Sequence, residues 1–373
     1  MENQDIHIGI VGAGNIGTAI YNLLVGEGSG YKVSIADITH STFLSSSIAE
    51  RDYVKLNGSE NGIAQFSAFA HDKTLIINAL PFHLNIDLYY ACYEHRIPYF
   101  DLSEDDALDE AIHNHQNPNT IPFTMPHCGL APGISTVIAN NLSKAFSDLH
   151  EIKIRVGALS QSSTNKLKYH SSWSADGLVN EYLGKCQIIR NGVYEEVDAL
   201  TGYETLNIDG KDYEAFHTSG GIGSLALTIS NKFIAGVNVD YKTLRRVGHY
   251  QYVDFLFNDL KLPQDILTDL FKKYIPRTRK DEVILYVTAN GYYPTNINHT
   301  TNVYCKAFRP EHIRGRTYTA IEYTTACGVL AMVELYLDGK LPKEGYVTQE
   351  SVDYKDVLGT KFGRFYKERS IYE

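Results

Sequence analysis

Along the first third of the chain, apolar positions switch repeatedly between a continuous and a helical spacing. Residues Ile6–Val11 form a short apolar run that stops at a glycine, and residues 15–25 (NIGTAIYNLLV) repeat their apolar positions at helical intervals. Lys32–Asp37 (KVSIAD) is a second β-rich run, ending in an acid, and Thr74–Leu80 (TLIINAL) is a third, stopped by Pro81. Asn85–His95 reads as a helix, and Pro98–Asp101 and Pro122–Met125 read as short strands. Continuous apolar runs are what strands buried on both faces look like, because helices cover both sides of a parallel sheet. Their alternation with helices predicts an α/β, doubly wound parallel sheet.

After Gly133 the pattern changes. Gly133–Phe146 predicts one helix, followed by alternating runs such as Glu151–Leu159, Glu282–Val287 and Asn302–Phe308 with turn-rich connections. Residues 128–318 are therefore expected to form an α+β domain with a mostly open sheet, and 321–338 another helix whose apolar face packs back on the first domain.

Gly12, Gly14 and Gly17 form a GxGxxG between the first strand and the first helix, and Asp37 closes the next strand twenty residues after Gly17. That context is the Rossmann dinucleotide fingerprint. Gly12 permits the tight turn, Gly14 lets a pyrophosphate approach the backbone, and Gly17 lets helix and strand pack closely. Asn15 and Ile16 open the helix, whose N–H groups and dipole face the phosphates. Asp37 accepts from ribose hydroxyls and repels a 2′-phosphate, and the residues after it are Ile38, Thr39 and His40 rather than an arginine. NAD is thus expected over NADP. The segment from Asn78 to His83 ends a strand at the carboxyl edge, so Ala79, Leu80 and Pro81 are expected beside the nicotinamide ribose.

Composition narrows the class further. A chain of 373 residues suggests two domains. A net charge of −10 without a basic run makes the chain a poor candidate for non-specific nucleic-acid or anionic-membrane binding. Cys92, Cys128, Cys186, Cys305 and Cys327 are odd in number and form no CxxC, which argues against a disulfide framework and a structural zinc. No histidine or cysteine spacing suggests a metal. The N-terminus shows no signal-peptide pattern, and no run reaches about 18 apolar residues, so a cytoplasmic protein without a membrane span is expected.

A second set of motifs consists of His127–Gly133 (HCGLAPG), Ser172–Tyr182 (SWSADGLVNEY), Glu214–Gly221 (EAFHTSGG) and Asp240–Arg245 (DYKTLR). Together they resemble the saccharopine dehydrogenase family, and within it look closest to lysine 6-dehydrogenases. The resemblance runs from residue 6 to about 350. It departs from those members at His127, where they often carry an acid. It implies a Rossmann domain at 1–127, an inserted α+β substrate and dimerisation domain at 128–318, a C-terminal segment at 319–373 returning to the first domain, and homodimers.

The implied reaction is NAD-dependent oxidation of a C–N bond in a small amino acid, with lysine or a relative deaminated at its side-chain amine. Hydride leaves the amine-bearing carbon, the resulting iminium takes water, and ammonia departs. Such chemistry needs a proton acceptor, acids to hold the ammonium and a cation for the α-carboxylate. Asp101 and Glu104, after a strand end, are candidates to hold or deprotonate the amine, Asp101 being alternatively a helix cap. His127 and His217 are candidate proton acceptors. Arg245 matches a carboxylate with its guanidinium fork, and Thr218 and Tyr169 are candidate substrate contacts. Cys128 reads as a small buried residue. Two alternatives stay open: an opine-type reductase of the saccharopine or carboxynorspermidine kind, needing further cations such as Arg190, Lys166 or Lys168, and a non-catalytic NAD-binding regulator.

Overall fold

The computed structural model describes residues 6–26, 30–39, 47–57, 62–102, 105–115, 117–232, 236–295 and 298–368. The chain divides into two compact units: residues 1–133 with 325–365, and residues 134–324 with 366–373.

In the first unit, the short apolar runs become β1 (His7–Val11), β2 (Lys32–Asp37), β3 (Tyr53–Lys55), β4 (Leu75–Asn78), β5 (Tyr99–Asp101) and β6 (Thr124–Met125). Between them lie α1 (Asn15–Gly26), α2 (Gly62–Ala70), α3 (Asn85–Glu94) and α4 (Asp106–His113). All the strands are parallel, in the order β3-β2-β1-β4-β5-β6. Ile8, Ile10, Ile76 and Ile77 are fully buried, as expected of strands covered on both faces. The order reverses beside β1, and in such sheets the carboxyl ends at the reversal form the ligand crevice. Beyond β6, Tyr346 pairs in parallel with Thr124, and the Val347 N–H bonds to the Thr124 carbonyl at 3.0 Å. Residues from the C-terminal part of the chain thereby extend this sheet.

In the second unit, α5 (Ile134–Ser143) is followed by β7 (Asp148–Ser160), α6 (Ala175–Glu181), the hairpin β8 (Lys185–Arg190) and β9 (Val193–Asp198), and the hairpin β10 (Glu204–Ile208) and β11 (Lys211–Phe216). Then come α7 (Leu225–Lys232), β12 (Asn238–Arg246), α8 (Tyr250–Asp254), α9 (Gln264–Tyr274), β13 (Asp281–Tyr292) and β14 (His299–Phe308). The mixed sheet runs β10-β11-β12-β7-β13-β14, with β8 against β12 and β9 at its side. Leu178, Val179 and Tyr182 of α6, Val253 of α8 and Leu267 of α9 gather with Phe216 into one apolar cluster.

Helix α10 (Ala320–Leu337) starts in the second unit and ends in the first. Its start is a capping box: the Glu322 N–H bonds to Thr319 Oγ1 at 3.2 Å, and the Thr319 N–H to Glu322 Oε2 at 2.9 Å. Asp281 accepts the next two amides, from Ala320 and Ile321. By length and mean hydropathy (1.3 over 18 residues) α10 does reach the range of a membrane span, and 72% of it is buried inside the fold.

Candidate active site

The glycine fingerprint forms a crevice lip at the β1–β4 reversal. Gly12 has φ 101°, a left-handed conformation open to glycine, and a Cβ there would lie 2.5 Å from the Ala79 carbonyl. Its N–H bonds to the Ala36 carbonyl, and the Ala79 N–H bonds to that of Val11. A Cβ on Gly17 would lie 1.8 Å from the Gly12 oxygen, so only glycine allows α1 this close to the strand end. Gly14 is the opposite case: a Cβ there meets nothing within 4 Å. Open space therefore stands over the start of α1, where Asn15 is exposed and Ile16 half-buried and the first N–H groups have no acceptor within the helix. This is the shape and polarity a pyrophosphate needs.

Asp37 ends β2 with Oδ2 accepting the Ala13 N–H at 2.6 Å and Oδ1 accepting the Thr39 N–H at 2.8 Å. These bonds hold the carboxylate beside the glycine turn. Ile38 follows it, 57% exposed, an apolar surface beside a ribose-binding acid. Ala79 and Leu80 are half-buried and Pro81 exposed, at the carboxyl edge of β4. The residues present thus fit a dinucleotide.

Asp101, at the end of β5, is 1% exposed. Its Oδ2 accepts from Asn78 Nδ2 and from Tyr99 Oη, each at 2.7 Å. Asn78 ends β4, also approaches Asn85 Oδ1 at 2.7 Å, and accepts the Leu80 N–H at 2.9 Å through its own Oδ1. One amide side chain thus ties the Ala79–Pro81 edge to the Asp101 carboxylate. Burial, with Asp101 alongside, raises the Tyr99 hydroxyl well above its ordinary value, so it stays a donor. Glu104 lies outside the described residues.

His127 is 1% exposed and has φ 63°, a strained backbone for a residue other than glycine. Cys128, next to it, donates its N–H to the Asp101 carbonyl at 2.6 Å, which anchors the turn. His127 Nε2 lies 3.3 Å from Asp109 Oδ2 of α4. Burial pushes the Cys128 thiol well up, away from a nucleophile. Gly129 and Gly328 of α10 meet backbone to backbone: a Cβ on Gly328 would lie 2.6 Å from the Gly129 oxygen.

In the second unit, strand alternation separates two candidates expected to act together. Asp240, Lys242 and Leu244 lie on one face of β12, and Tyr241, Thr243 and Arg245 on the other. His217, one residue past Phe216, joins the first face. Its Nε2 is 3.6 Å from Asp240 Oδ2 and its Nδ1 3.2 Å from Thr201 Oγ1. There Arg155, 1% exposed, forms a two-pronged pair with Asp240 at 2.9 and 3.0 Å and reaches Glu204 at 2.5 Å, and Lys242 approaches both acids. Burial works against the Asp240 charge, but Arg155 and the bonds from His217 and Arg155 outweigh it and hold that carboxyl below its ordinary range.

Arg245 is 2% exposed on the opposite face, and its fork is already engaged. Nε donates to Tyr182 Oη at 2.8 Å, Nη1 to the Leu244 carbonyl at 3.0 Å, and Nη2 to Glu181 Oε2 at 3.3 Å. The guanidinium stands 5.6 Å from the Tyr169 ring centre and 5.5 Å from that of Tyr182. His249 fixes the far end. Its Nδ1 faces the Leu167 carbonyl at 2.8 Å, so that nitrogen carries the proton, and its Nε2 accepts from Tyr182 Oη at 2.9 Å. Burial and then Arg245 lower His249 to about 3, keeping it neutral. Tyr169 Oη accepts from the Trp173 indole at 3.1 Å. Thr218 is 2% exposed, and its hydroxyl has no hydrogen-bond partner among the described residues. Of the further cations, Arg190 is paired with Glu195 at the surface, and Lys166 and Lys168 are exposed.

Sequence reasoning missed the side-chain roles of Asn78 and Tyr99, and the partners Glu181, Tyr182 and His249. A polar residue ending the apolar run TLIIN was a visible signal for Asn78; Glu181 and Tyr182 stand inside the SWSADGLVNEY motif without anything to pair them with Arg245.

Residues 8–121 match the saccharopine dehydrogenase NADP binding domain, and residues 129–370 the saccharopine dehydrogenase C-terminal domain. Among solved structures, the chain is similar to apo saccharopine dehydrogenase (L-Glu forming) from Saccharomyces cerevisiae. That match has 14% identity and a TM-score of 0.71, covering 95% of this chain and 96% of that one. It is also similar to homospermidine synthase from Legionella pneumophila in complex with NAD, at 12% identity and a TM-score of 0.65, covering 97% and 89%. At such identities these two likenesses are of fold. The two domain matches together span nearly the whole chain, and the protein belongs to the saccharopine dehydrogenase family of NAD(P)-dependent oxidoreductases.

Proposed function

We propose that this protein uses NAD to oxidise the C–N bond of an amino acid, removing the side-chain amine of lysine or a related amino acid. The observation that carries the reading is the Asn78 amide, which joins the backbone at Leu80 to the buried Asp101 carboxylate. A carboxylate so placed beside the cofactor edge suits a reaction that must hold and deprotonate an amine. A bound nicotinamide supplies the hydride acceptor. Asp101 Oδ2 takes the amine proton, Asn78 and Tyr99 keep that oxygen oriented, and burial excludes water from it.

Asp37 supports NAD over NADP: its carboxylate is held at the ribose position, and Ile38 and Thr39 offer no cation for a 2′-phosphate. The matching family description names NADP, so the two cofactors are compared directly in the test. An opine-type substrate, with several carboxylates, is less well served, because Arg245 and Arg190 are both paired with glutamates. The same reading makes the protein a cytoplasmic homodimer without a nucleic-acid or membrane partner; the charge of −10 supports the last point, and sedimentation tests the dimer.

The experiment is NADH formation at 340 nm with lysine, ornithine, saccharopine and carboxynorspermidine at alkaline pH, NADP run beside NAD. Turnover of lysine with NAD, lost in Asp101→Asn while NAD still binds, supports the proposal. Turnover only of the secondary amines moves the protein to the opine branch. Silence with every amine, NAD still binding, leaves the non-catalytic regulator.

A further inference from the structure

The first unit has a cavity at the end of its sheet opposite the glycine fingerprint. The close of α1, residues 30–33 at the start of β2 and the Arg51–Asp52 turn ahead of β3 line a space of about 430 Å³. We propose that this cavity binds a small organic anion with an apolar body, such as a medium-chain carboxylate, and that its occupancy tightens NAD binding through Tyr53. The proposal rests on the dinucleotide site and is independent of which amine the protein oxidises.

The lining supplies the two halves of such a ligand's binding chemistry. Leu24 and Val33 are buried, Tyr31 is half-buried and Val25 is exposed, so the apolar part of the wall reaches from the core to the surface. Lys32 and Arg51 are exposed cations. Arg51 meets only Asp52, at 3.7 Å, and Lys32 has no ion pair among the described residues. Asp52 is engaged elsewhere: its Oδ2 accepts the Tyr21 hydroxyl at 2.7 Å, and that hydroxyl accepts the Ala49 N–H at 3.2 Å. Among the described residues the lining thus carries two loosely held cations against one acid already in use. Burial, and then Glu334 and Asp338 of α10, raise the Tyr31 hydroxyl above its ordinary value, so it stays protonated and adds a donor. The carboxyl end of α1 has no basic residue in its last turn and disfavours negative charge, which fixes the ligand's direction. The hydrocarbon lies along Leu24 and Val25, and the carboxylate lies toward Arg51 and Lys32, where the guanidinium fork matches it. The volume falls within the range of small-molecule sites, roughly 300–1,000 Å³.

The elements that line the cavity are those that hold the cofactor. β2 starts at Lys32 and ends at Asp37, a span of about 16 Å. α1 starts beside the phosphate position and ends at the cavity. Most directly, Arg51 and Tyr53 are two residues apart, and the Tyr53 hydroxyl donates to the Asp37 carbonyl at 3.0 Å. β3 pairs with β2 from Tyr53 on Ile35 to Lys55 on Asp37. A ligand that holds Lys32 and Arg51 fixes both strands around Asp37, and a ribose acceptor set in advance binds NAD more tightly.

The probes are hexanoate, hexylamine and inorganic phosphate, titrated by calorimetry into the full chain, with NADH affinity read by fluorescence. Hexanoate should bind, and hexylamine and phosphate should each be weaker by about tenfold or more, the one lacking the charge and the other the buried methylenes. Arg51→Ala and Lys32→Ala should each weaken hexanoate by about threefold or more, as expected of exposed charges. Saturating hexanoate should tighten NADH by about fivefold or more, and NADH should tighten hexanoate by the same factor. Tyr53→Phe should bind hexanoate like wild type while losing that coupling. NADH binding without hexanoate reports that each variant is folded. Four results overturn the proposal: phosphate binding as tightly as hexanoate, hexanoate affinity unchanged in both cation variants, NADH affinity indifferent to hexanoate, or coupling that survives in Tyr53→Phe. Wild-type protein that does not bind hexanoate overturns it too. No readout requires amine turnover, so failure of the dehydrogenase reading leaves this one standing.

Discussion

Gly14 and Gly17 stand three residues apart in one motif, yet the structure assigns them opposite reasons for being glycine, and alanine at each separates the two. At Gly14 a methyl group meets nothing within 4 Å. Gly14 accepts the Thr18 N–H at 2.9 Å and so stands just ahead of α1, where alanine in place of glycine costs up to ~1 kcal/mol. The loss of backbone freedom in the unfolded chain returns ~0.4–1 kcal/mol. Gly14→Ala should therefore leave the stability of the cofactor-free protein within ~0.5 kcal/mol of wild type, the difference of those two effects. It should nevertheless fill the space a pyrophosphate needs. Losing one charge-assisted bond of ~1.5–3 kcal/mol weakens NAD binding by ~10- to 150-fold. At Gly17 the added methyl lies 1.8 Å from a backbone oxygen, so α1 must move, at ~1–3 kcal/mol or more, with or without cofactor. Thermal unfolding without cofactor measures the first quantity and NADH fluorescence titration the second. Unchanged NADH affinity in a stable Gly14→Ala protein refutes the phosphate site, and a Gly14→Ala protein as unstable as Gly17→Ala refutes the space argument.

Three further outcomes are expected. A Cβ on Gly177 would lie 2.6 Å from the Trp173 ring, so Gly177→Ala should displace the indole, shift its emission and cost ~1–3 kcal/mol in urea unfolding; an unshifted spectrum contradicts this. Asp37→Ser removes the ribose acceptor and its charge, so NAD affinity should fall ~10-fold or more while NADP affinity does not, narrowing the ratio measured by titration. His249 is held at about 3 against an ordinary 6.5, so above pH 6.5 both states are neutral, and below it the unfolded chain takes the proton first. Stability should then decline as pH falls from 6.5 towards 3, by up to ~1.4 kcal/mol per unit from this group. His249→Gln should flatten that slope in urea titrations at pH 7.5 and 5; an unchanged slope removes His249 as its source.

Much of the first unit was legible because strands buried on both faces leave continuous apolar runs between glycine and proline stops. The run Thr74–Leu80 shortens to Leu75–Asn78 in the structure, since Ala79–Pro81 leave the sheet to meet Gly12. Tyr53–Lys55 and Gly62–Ala70 went unread: a three-residue edge strand is too short to show a period, and the helix carries few polar residues to mark its outer face. In the second unit the alternation of DYKTLRR is plain, but the register between β11 and β12 is not. Both strands are buried on both faces, so neither states which residue faces which. That register puts His217 with Asp240 and leaves Arg245 to Glu181. Asn78 illustrates the remaining gap: its three neighbours lie 7, 21 and 23 residues away, and proximity of that kind is a product of topology.

The strand extension at Tyr346 has a consequence for how the molecule is made. Thr124 and its partner Tyr346 are separated by more than two hundred residues, and residues 134–324 of the second unit are synthesised between them. The edge of the cofactor sheet therefore stays open throughout that interval, with unpaired backbone groups next to β6. Contacts this distant in sequence form late and slowly. A ribosome-bound chain stopped anywhere before residue 346 should display a cofactor domain that lacks its last neighbour, a form open to edge-on association and to chaperone capture. Closure of the dinucleotide sheet therefore waits until the strand around Tyr346 has been made and released.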